Sequence, residues 1–176
     1  MTALWAPPTI PAPATINPSR IESLSTAGVA PLRTTASTAW PAANRAIFVP
    51  FILSSPMLVT QLFALIGAIS SGNIDVGIYD RAGTKIVSSG STVMGTINVL
   101  QLFNITDVVL GPGRYFMACA VDNATGTVFA GASTARRYVA QGVCQQATAF
   151  PLPATATFAA AAAAFCPVIG VANQIY

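Results

Sequence analysis

Residues 113–121, Gly-Arg-Tyr-Phe-Met-Ala-Cys-Ala-Val, constrain the fold of this chain more than any other stretch. They follow a tight Gly111-Pro112-Gly113 turn. As a strand they place Tyr115, Met117, Cys119 and Val121 on one face and Phe116, Ala118 and Ala120 on the other. Both faces are apolar, so the strand is expected to be central and covered on both sides, by a second sheet and an arm or by another subunit.

The surrounding residues 46–150 repeat the same kind of signal. Short runs of β-branched and aromatic residues are separated by turn signals every 8 to 15 residues. A first strand is expected at 46–51, where Pro50 restricts it to an edge or a strand end. Residues 57–69 follow and end in the turn Ser70-Ser71-Gly72-Asn73. In 73–80, Ile74, Val76 and Ile78 alternate with Asn73, Asp75, Gly77 and Tyr79, a period of two that buries one face. Arg81-Ala82-Gly83-Thr84 closes a hairpin to 85–91. Residues 96–105 read as another strand, and Asp122-Asn123-Ala124-Thr125-Gly126 turns into 127–133. No strand-helix-strand rhythm occurs. The expected fold is therefore all-β, an antiparallel β-sandwich of six to eight strands, jelly-roll or immunoglobulin-like.

The flanks differ from this middle. Residues 1–45 contain Pro7, Pro8, Pro11, Pro13, Pro18, Pro31 and Pro41, which forbid long helices and favour extended chain. Apolar anchors that a bare linker would not need punctuate the stretch, among them Trp5, Ile10, Ile16 and Trp40. It reads either as an extended N-terminal arm that lies along a neighbouring subunit or as a disordered tail whose aromatics are incidental, and the arm is the expectation. Residues 151–176 hold Phe158, six consecutive alanines and Phe165, and the six alanines predict a short helix packed closely on the domain or on a partner. No charge follows Arg137, and 39 uncharged residues suit a buried segment better than a solvated tail. The expected organisation is an anchoring arm at 1–45, a β-domain at 46–150 and an Ala-rich segment at 151–176. Trp5, Ile10, Ile16, Trp40, Phe158 and Phe165 are the expected partner contacts.

The chemistry-bearing residues are few. Histidine is absent, which removes most triads, His-based metal sites and His acid–base pairs. Only 5 Asp and Glu are present, and Asp75 and Asp80 should point to opposite faces of one strand. Ser88, Ser89 and Ser91 beside Gly90 lack the surroundings of a nucleophile elbow, and Gly111-Pro112-Gly113 lacks the lysine and helix start of a phosphate loop. A calcium site on Asp80 with Asn73 or the Asp122-Asn123 turn competes with a turn-capping role, which the spacing favours. No catalytic residue, cofactor or metal is expected. Cys119, Cys144 and Cys166 are widely spaced and read as reduced, buried small hydrophobes, in keeping with folding in a reducing cytoplasm. Arg136-Arg137 beside Tyr138 reads as a solvated strand end or loop, so nucleic acid is not an expected partner. Residues 46–74 and 155–172 are uncharged, but prolines interrupt both, and no membrane span is expected. With 7% charged and 53% hydrophobic residues, a folded chain leaves much of its exterior for contact with other subunits.

The segments Asp75–Ser91, DVGIYDRAGTKIVSSGS, and Val108–Val121, VVLGPGRYFMACAV, resemble β-sandwich domains of tailed-bacteriophage virion proteins: capsid decoration proteins, head fibres and tail adhesins. The shared elements are a G-I-Y-D strand, a D-x-x-G hairpin and an L-x-P-G-x-Y turn leading into a strand, and they span about residues 45–135. The resemblance implies a non-enzymatic structural subunit of the virion, assembled in the host cytoplasm. Its implied partners are copies of itself and the major capsid or other virion proteins. The alternative is a tail-tip receptor- or glycan-binding module, for which Trp40, Tyr79, Tyr138 and Gln145-Gln146 would supply the stacking and amide groups.

Overall fold

A computed structural model describes residues 21–22, 35–131 and 134–172. The strands are β1 (Ile21–Glu22), β2 (Thr35–Ala39), β3 (Arg45–Leu53), β4 (Met57–Leu65), β5 (Asn73–Asp80), β6 (Lys85–Ser88), β7 (Thr92–Val93), β8 (Leu100–Leu110), β9 (Gly113–Val121) and β10 (Thr127–Gly131). After the helix α1 (Ala135–Ala140) come β11 (Cys144–Gln146), β12 (Ala159–Ala160), β13 (Cys166–Pro167) and β14 (Ile169–Ala172). Among the described residues the fold is all-β apart from that helix, and its sheets are antiparallel. One sheet has the order β1-β14-β4-β8, a second β13-β10-β2, and the largest β12-β11-β3-β9-β5-β6 with β7 added beside β5.

The doubly apolar strand occupies the position its sequence demands. β9 pairs with all of β3, from Arg45↔Val121 to Leu53↔Gly113, and on its other side with β5, from Ile74↔Val121 to Asp80↔Tyr115. Met117, Cys119 and Val121 enter the main core with Ile47, Val49 and Phe51 of β3 and Ile74, Val76 and Ile78 of β5. Val59, Leu62 and Ala64 of β4, Phe103 and Leu110 of β8, and Ile169 and Val171 of β14 complete that core from the four-stranded sheet. Each Val, Leu, Ile, Phe or Met side chain among them contributes about 1.5–3 kcal/mol on withdrawal from water. On the opposite face Phe116, Ala118 and Ala120 join Ala46, Phe48 and Tyr79 beneath Ala149, Leu152 and Ala156. The second cover is thus the chain's own C-terminal region.

This arrangement corrects several expectations. β5 is buried on both faces, Asp75 and Tyr79 included, because the C-terminal region lies over the face expected to meet solvent. Pro50 lies within β3, in register with Phe116 of β9. It is accommodated because β11 accompanies β3 only from Ala46 to Phe48, so that flank of β3 is open at Pro50. The strand expected from 96 begins at Leu100, and Arg136, Arg137 and Tyr138 fall in a short helix capped by Thr134, whose hydroxyl accepts from the Arg137 N–H.

Both domain boundaries also move. Residues 35–45 belong to the β-domain: β2 pairs with β10 from Thr35↔Gly131 to Ala39↔Thr127, and Trp40 is 1% exposed. The alanine run is not helical. Phe158 packs on Phe48 and Phe116 of the largest sheet, whereas Phe165 packs on Trp40 beside the strand that pairs with β10. Seven residues of helix advance only about 10 Å, so anchors in two different sheets favour an extended path over the intrinsic preference of alanine. From Cys144 to Ala172 the chain contributes β11 and β12 to one sheet, β13 to the second and β14 to the third. The uncharged C-terminal stretch is therefore a clasp across all three sheets.

Candidate interaction surfaces

The candidate surfaces are those that could hold a partner, and the strap at 149–158 defines what is already taken. Its backbone is tied to the largest sheet and the turns beside it at Ala149, Leu152, Pro153, Ala154 and Ala156. The Ala149 N–H donates to the Asn44 carbonyl at 2.6 Å. The Leu152 N–H donates to Asp75 Oδ2 at 3.0 Å, while Lys85 Nζ donates to the Leu152 carbonyl at 2.8 Å. The Tyr79 hydroxyl donates to the Pro153 carbonyl at 2.5 Å, the Lys85 N–H to the Ala154 carbonyl at 2.9 Å, and the Ala156 N–H to the Gly83 carbonyl at 2.7 Å.

The sequence fits this docking locally. A Cβ on Gly77 would stand 2.9 Å from the Val87 carbonyl oxygen and 3.0 Å from Leu152 Cδ1, so only glycine there lets Leu152 seat on the sheet. Gly83, at φ +89°, turns the β5–β6 hairpin and brings its carbonyl under Ala156. Burial pushes the Asp75 carboxyl above the usual carboxylate range, against the opposing influence of the Leu152 N–H, the Lys85 ammonium and the Ser89 and Ser88 hydroxyls. Ser89 also donates to Asp75 Oδ1 at 3.3 Å. The Tyr79 hydroxyl is pushed far above its ordinary value by burial and by the Asp75 charge. These groups act as a latch for the strap and offer no open face to a substrate.

The expected partner contacts distribute unevenly. Trp5, Ile10 and Ile16 lie outside the described residues. Trp40 and Phe165 meet edge to face with ring centroids 5.2 Å apart inside the main core, and Trp40 Nε1 donates to the Arg45 carbonyl at 2.9 Å. Both face this chain's own interior, which withdraws them from contact with a neighbour. Phe158 is half-buried on Phe48 and Phe116 at the rim of the strap. The aromatics considered for glycan stacking are interior too: Tyr79 lies beneath the strap, and the Tyr138 hydroxyl donates to the Gly131 carbonyl at 2.5 Å while burial pushes it up to about 12. Gln145 and Gln146 are half-buried, the latter accepting from the Thr157 N–H.

The acidic turn residues are committed to their turns. Asp80 Oδ1 accepts from the Thr84 N–H, and Asp122 accepts from the side-chain amides of Asn73 and Asn123. Asn73 and Asp80 stand at opposite ends of β5, so the grouping considered for calcium does not form. Among the described residues no three His, Cys, Asp or Glu side chains converge, and no helix is long and apolar enough to cross a membrane. The apolar run at 46–74 supplies β3 and β4 instead.

Three large apolar side chains that the sequence pattern does not single out are widely exposed: Ile52 at 72%, Val93 at 70% and Val109 at 68%. Their signal is indistinct, since each sits at a turn or strand end where the alternation of period two lapses. The three cysteines form no disulfide: Cys119 and Cys166 are buried and Cys144 is half-buried. Burial pushes all three thiols up, Cys166 to about 12 and Cys119 well above its ordinary value. At pH 8 a thiol reagent is therefore expected to label the native protein slowly and at Cys144 alone, and to label all three after denaturation. Rapid labelling of two or more thiols in the native state would contradict this placement.

Comparison with family models, with curated proteins and with solved structures gives no match for the chain.

Proposed function

We propose that this protein is a non-enzymatic structural subunit of a bacteriophage virion that decorates or cements the capsid or another part of the particle surface. In this reading the four-stranded and largest sheets form a β-sandwich over the main core, and the Pro-rich N-terminal residues dock on neighbouring subunits. The observation that carries the proposal is the poverty of charge: 7% of residues are charged, and Ile52, Val93 and Val109 remain exposed although the fold docks its own C-terminal stretch on all three sheets. Exteriors of this kind are stabilised by contact with other protein surface. Repetition of one contact around a symmetric shell then makes release of each subunit a largely intramolecular event, which raises retention without a large interface.

The clasp formed by residues 144–172 alters which end serves assembly. Because it is occupied within its own domain, the docking role falls to the residues before β1. Deleting residues 1–20 is expected to reduce incorporation of the subunit into particles at least tenfold while the domain still folds. Particles carrying the truncated subunit at full occupancy would remove the arm from the mechanism, and absence of the intact chain from particles would remove the virion role itself.

A further inference from the structure

The strap covers the outer face of the largest sheet only in part. Side chains on that face form rows across three strands. Phe48, Ala118 and Gly77 make one row, and Pro50, Phe116 and Tyr79 the next, with Phe158 packed on Phe48 and Phe116. In the row beyond, Ile52 stands opposite Arg114. Arg81 follows Asp80, which is paired with Tyr115, so it comes level with Arg114 where β5 ends. Here the cover stops: Ile52 is 72% exposed, and Arg81 and Arg114 are exposed beside it.

The turn after α1 bounds this row on its other side. A Cβ on Gly142 would stand 3.3 Å from Arg114 Nη2 and 3.4 Å from Pro50 Cγ, so the turn lies against both. Arg137 precedes Gly142 by five residues, roughly 8 Å of helix, and both Arg136 and Arg137 are exposed on α1. Four guanidiniums are thus brought to the end of the fold that holds Ile52, and none is joined to a carboxylate among the described residues. The other described basic side chains are placed elsewhere. Lys85 holds the strap, and Arg45 begins β3, about 23 Å along the strand from Ile52. Like charges gathered on one surface repel, and a partner that supplies carboxylates relieves that repulsion.

We propose that this shelf is a docking face for a different protein of the particle, one that presents an aliphatic side chain to Ile52 and Phe158, flanked by Asp or Glu for Arg81, Arg114, Arg136 and Arg137. The proposal rests on the assembly role proposed above and adds to the arm a contact made by the folded domain. Charge decides against a second copy. Asp75 is buried, Asp80 and Asp122 are held in their turns, and among the described side chains only the carboxylate of Asp107 is exposed, on β8 of another sheet. A nucleic-acid backbone would neutralise the arginines but offers nothing apolar to Ile52. Ile52 lies on the sheet while the strap stands above the same face, so a protruding side chain reaches it more readily than the plane of a bilayer does. Arginine around an exposed aliphatic residue is also the composition of protein contacts.

The probe is a fluorescein-labelled peptide of alternating Asp and Leu, with alternating Asn and Leu as its control. Each is titrated with the full-length protein at about 0.15 M salt, where charges more than about 8 Å away are largely screened. Arg114→Gln is expected to weaken binding of the Asp peptide about threefold, Arg114→Gln with Arg137→Gln about tenfold, and Ile52→Ser about fivefold. Thr125→Glu alters the net charge by the same amount as Arg114→Gln, but in the turn at the opposite end of β9, and is expected to stay within about twofold of the parent. All four positions are exposed, and circular dichroism checks folding.

Equal losses in Arg114→Gln and Thr125→Glu, or equal binding of the two peptides, would overturn the proposal. Oligothymidylate or phosphatidylserine vesicles that bind more tightly than the Asp peptide, and that Arg114→Gln and Ile52→Ser release, would give the face to nucleic acid or lipid and overturn it as well. Self-association of the parent that Arg114→Gln abolishes would give it to a second copy. Particle incorporation separates this contact from the wider role. Loss on deleting residues 1–20 with full occupancy by Arg114→Gln and Ile52→Ser would retain the virion role and reject this face. Absence of the parent from particles would reject the virion role, while binding of the Asp peptide would still identify an acidic partner.

Discussion

Truncating Trp40 to alanine is expected to destabilise the protein by about 3–5 kcal/mol, among the largest effects of any single substitution here. The side chain is 1% exposed, packs edge to face on Phe165, and satisfies the Arg45 carbonyl through Nε1. Its removal leaves a large cavity where the segment entering β3 meets the C-terminal clasp, and it leaves a part-buried carbonyl without its donor. For a chain of this length that corresponds to a fall in melting temperature of roughly 10 °C, measured by circular dichroism. Trp40→Phe retains much of the volume and loses the hydrogen bond, so it is expected to cost about half as much. A shift under about 3 °C for Trp40→Ala, less than 1 kcal/mol would give, would mean that residues 35–45 are dispensable to the domain, returning them to the arm.

That expectation turns on a residue whose role the sequence alone conceals. Proline content does separate the N-terminal stretch from the rest of the chain, but prolines stop marking a boundary once a five-residue strand can form between Pro31 and Pro41. Trp40 beside Pro41 looks like an isolated anchor because its partner, Phe165, lies 125 residues away (165 − 40) and no local period reports it. The same limit applies to the alanines. Their intrinsic preference is helical, but Phe158 and Phe165 are held in different sheets, and only the tertiary structure fixes that separation. By contrast β9 is legible in full, including the division of Met117, Cys119 and Val121 from Phe116, Ala118 and Ala120, because a doubly apolar strand has only one place in a sheet. The β5–β6 hairpin is legible for a similar reason: Asp80 and Gly83 carry the turn chemistry locally, with the Asp80 carboxylate accepting the Thr84 N–H and Gly83 at positive φ. The strap over Asp75 is not legible. Alternation in 73–80 is equally compatible with a wet face, and the cover comes from residues 149–158, far along the chain.

Asp75 provides the second large effect, with a pH dependence of unusual sign for a carboxylate. Asp75→Ala leaves the buried Leu152 N–H without its acceptor and separates Lys85 from the charge beside it, and is expected to cost about 2–3 kcal/mol. Amide exchange at Leu152 and Ala156 should accelerate before that of β9, since the strap loosens while the central strand remains covered on its other face. The carboxyl is raised above 3.8 in the folded protein, with burial the largest cause. Between 3.8 and that raised value the folded state holds a proton the unfolded state has released, so stability from this group is complete in acid and declines as pH rises through the window. Asn at this position cannot titrate. The stability of the parent minus that of Asp75→Asn is therefore expected to be greatest near about pH 3.5, below the unfolded carboxyl's titration, to decrease as pH rises and then to level off, with other carboxylates cancelling in the difference. If the difference instead grows with pH, attraction to Lys85 and the Leu152 N–H outweighs desolvation, and the strap is held by an ion pair rather than despite a buried charge.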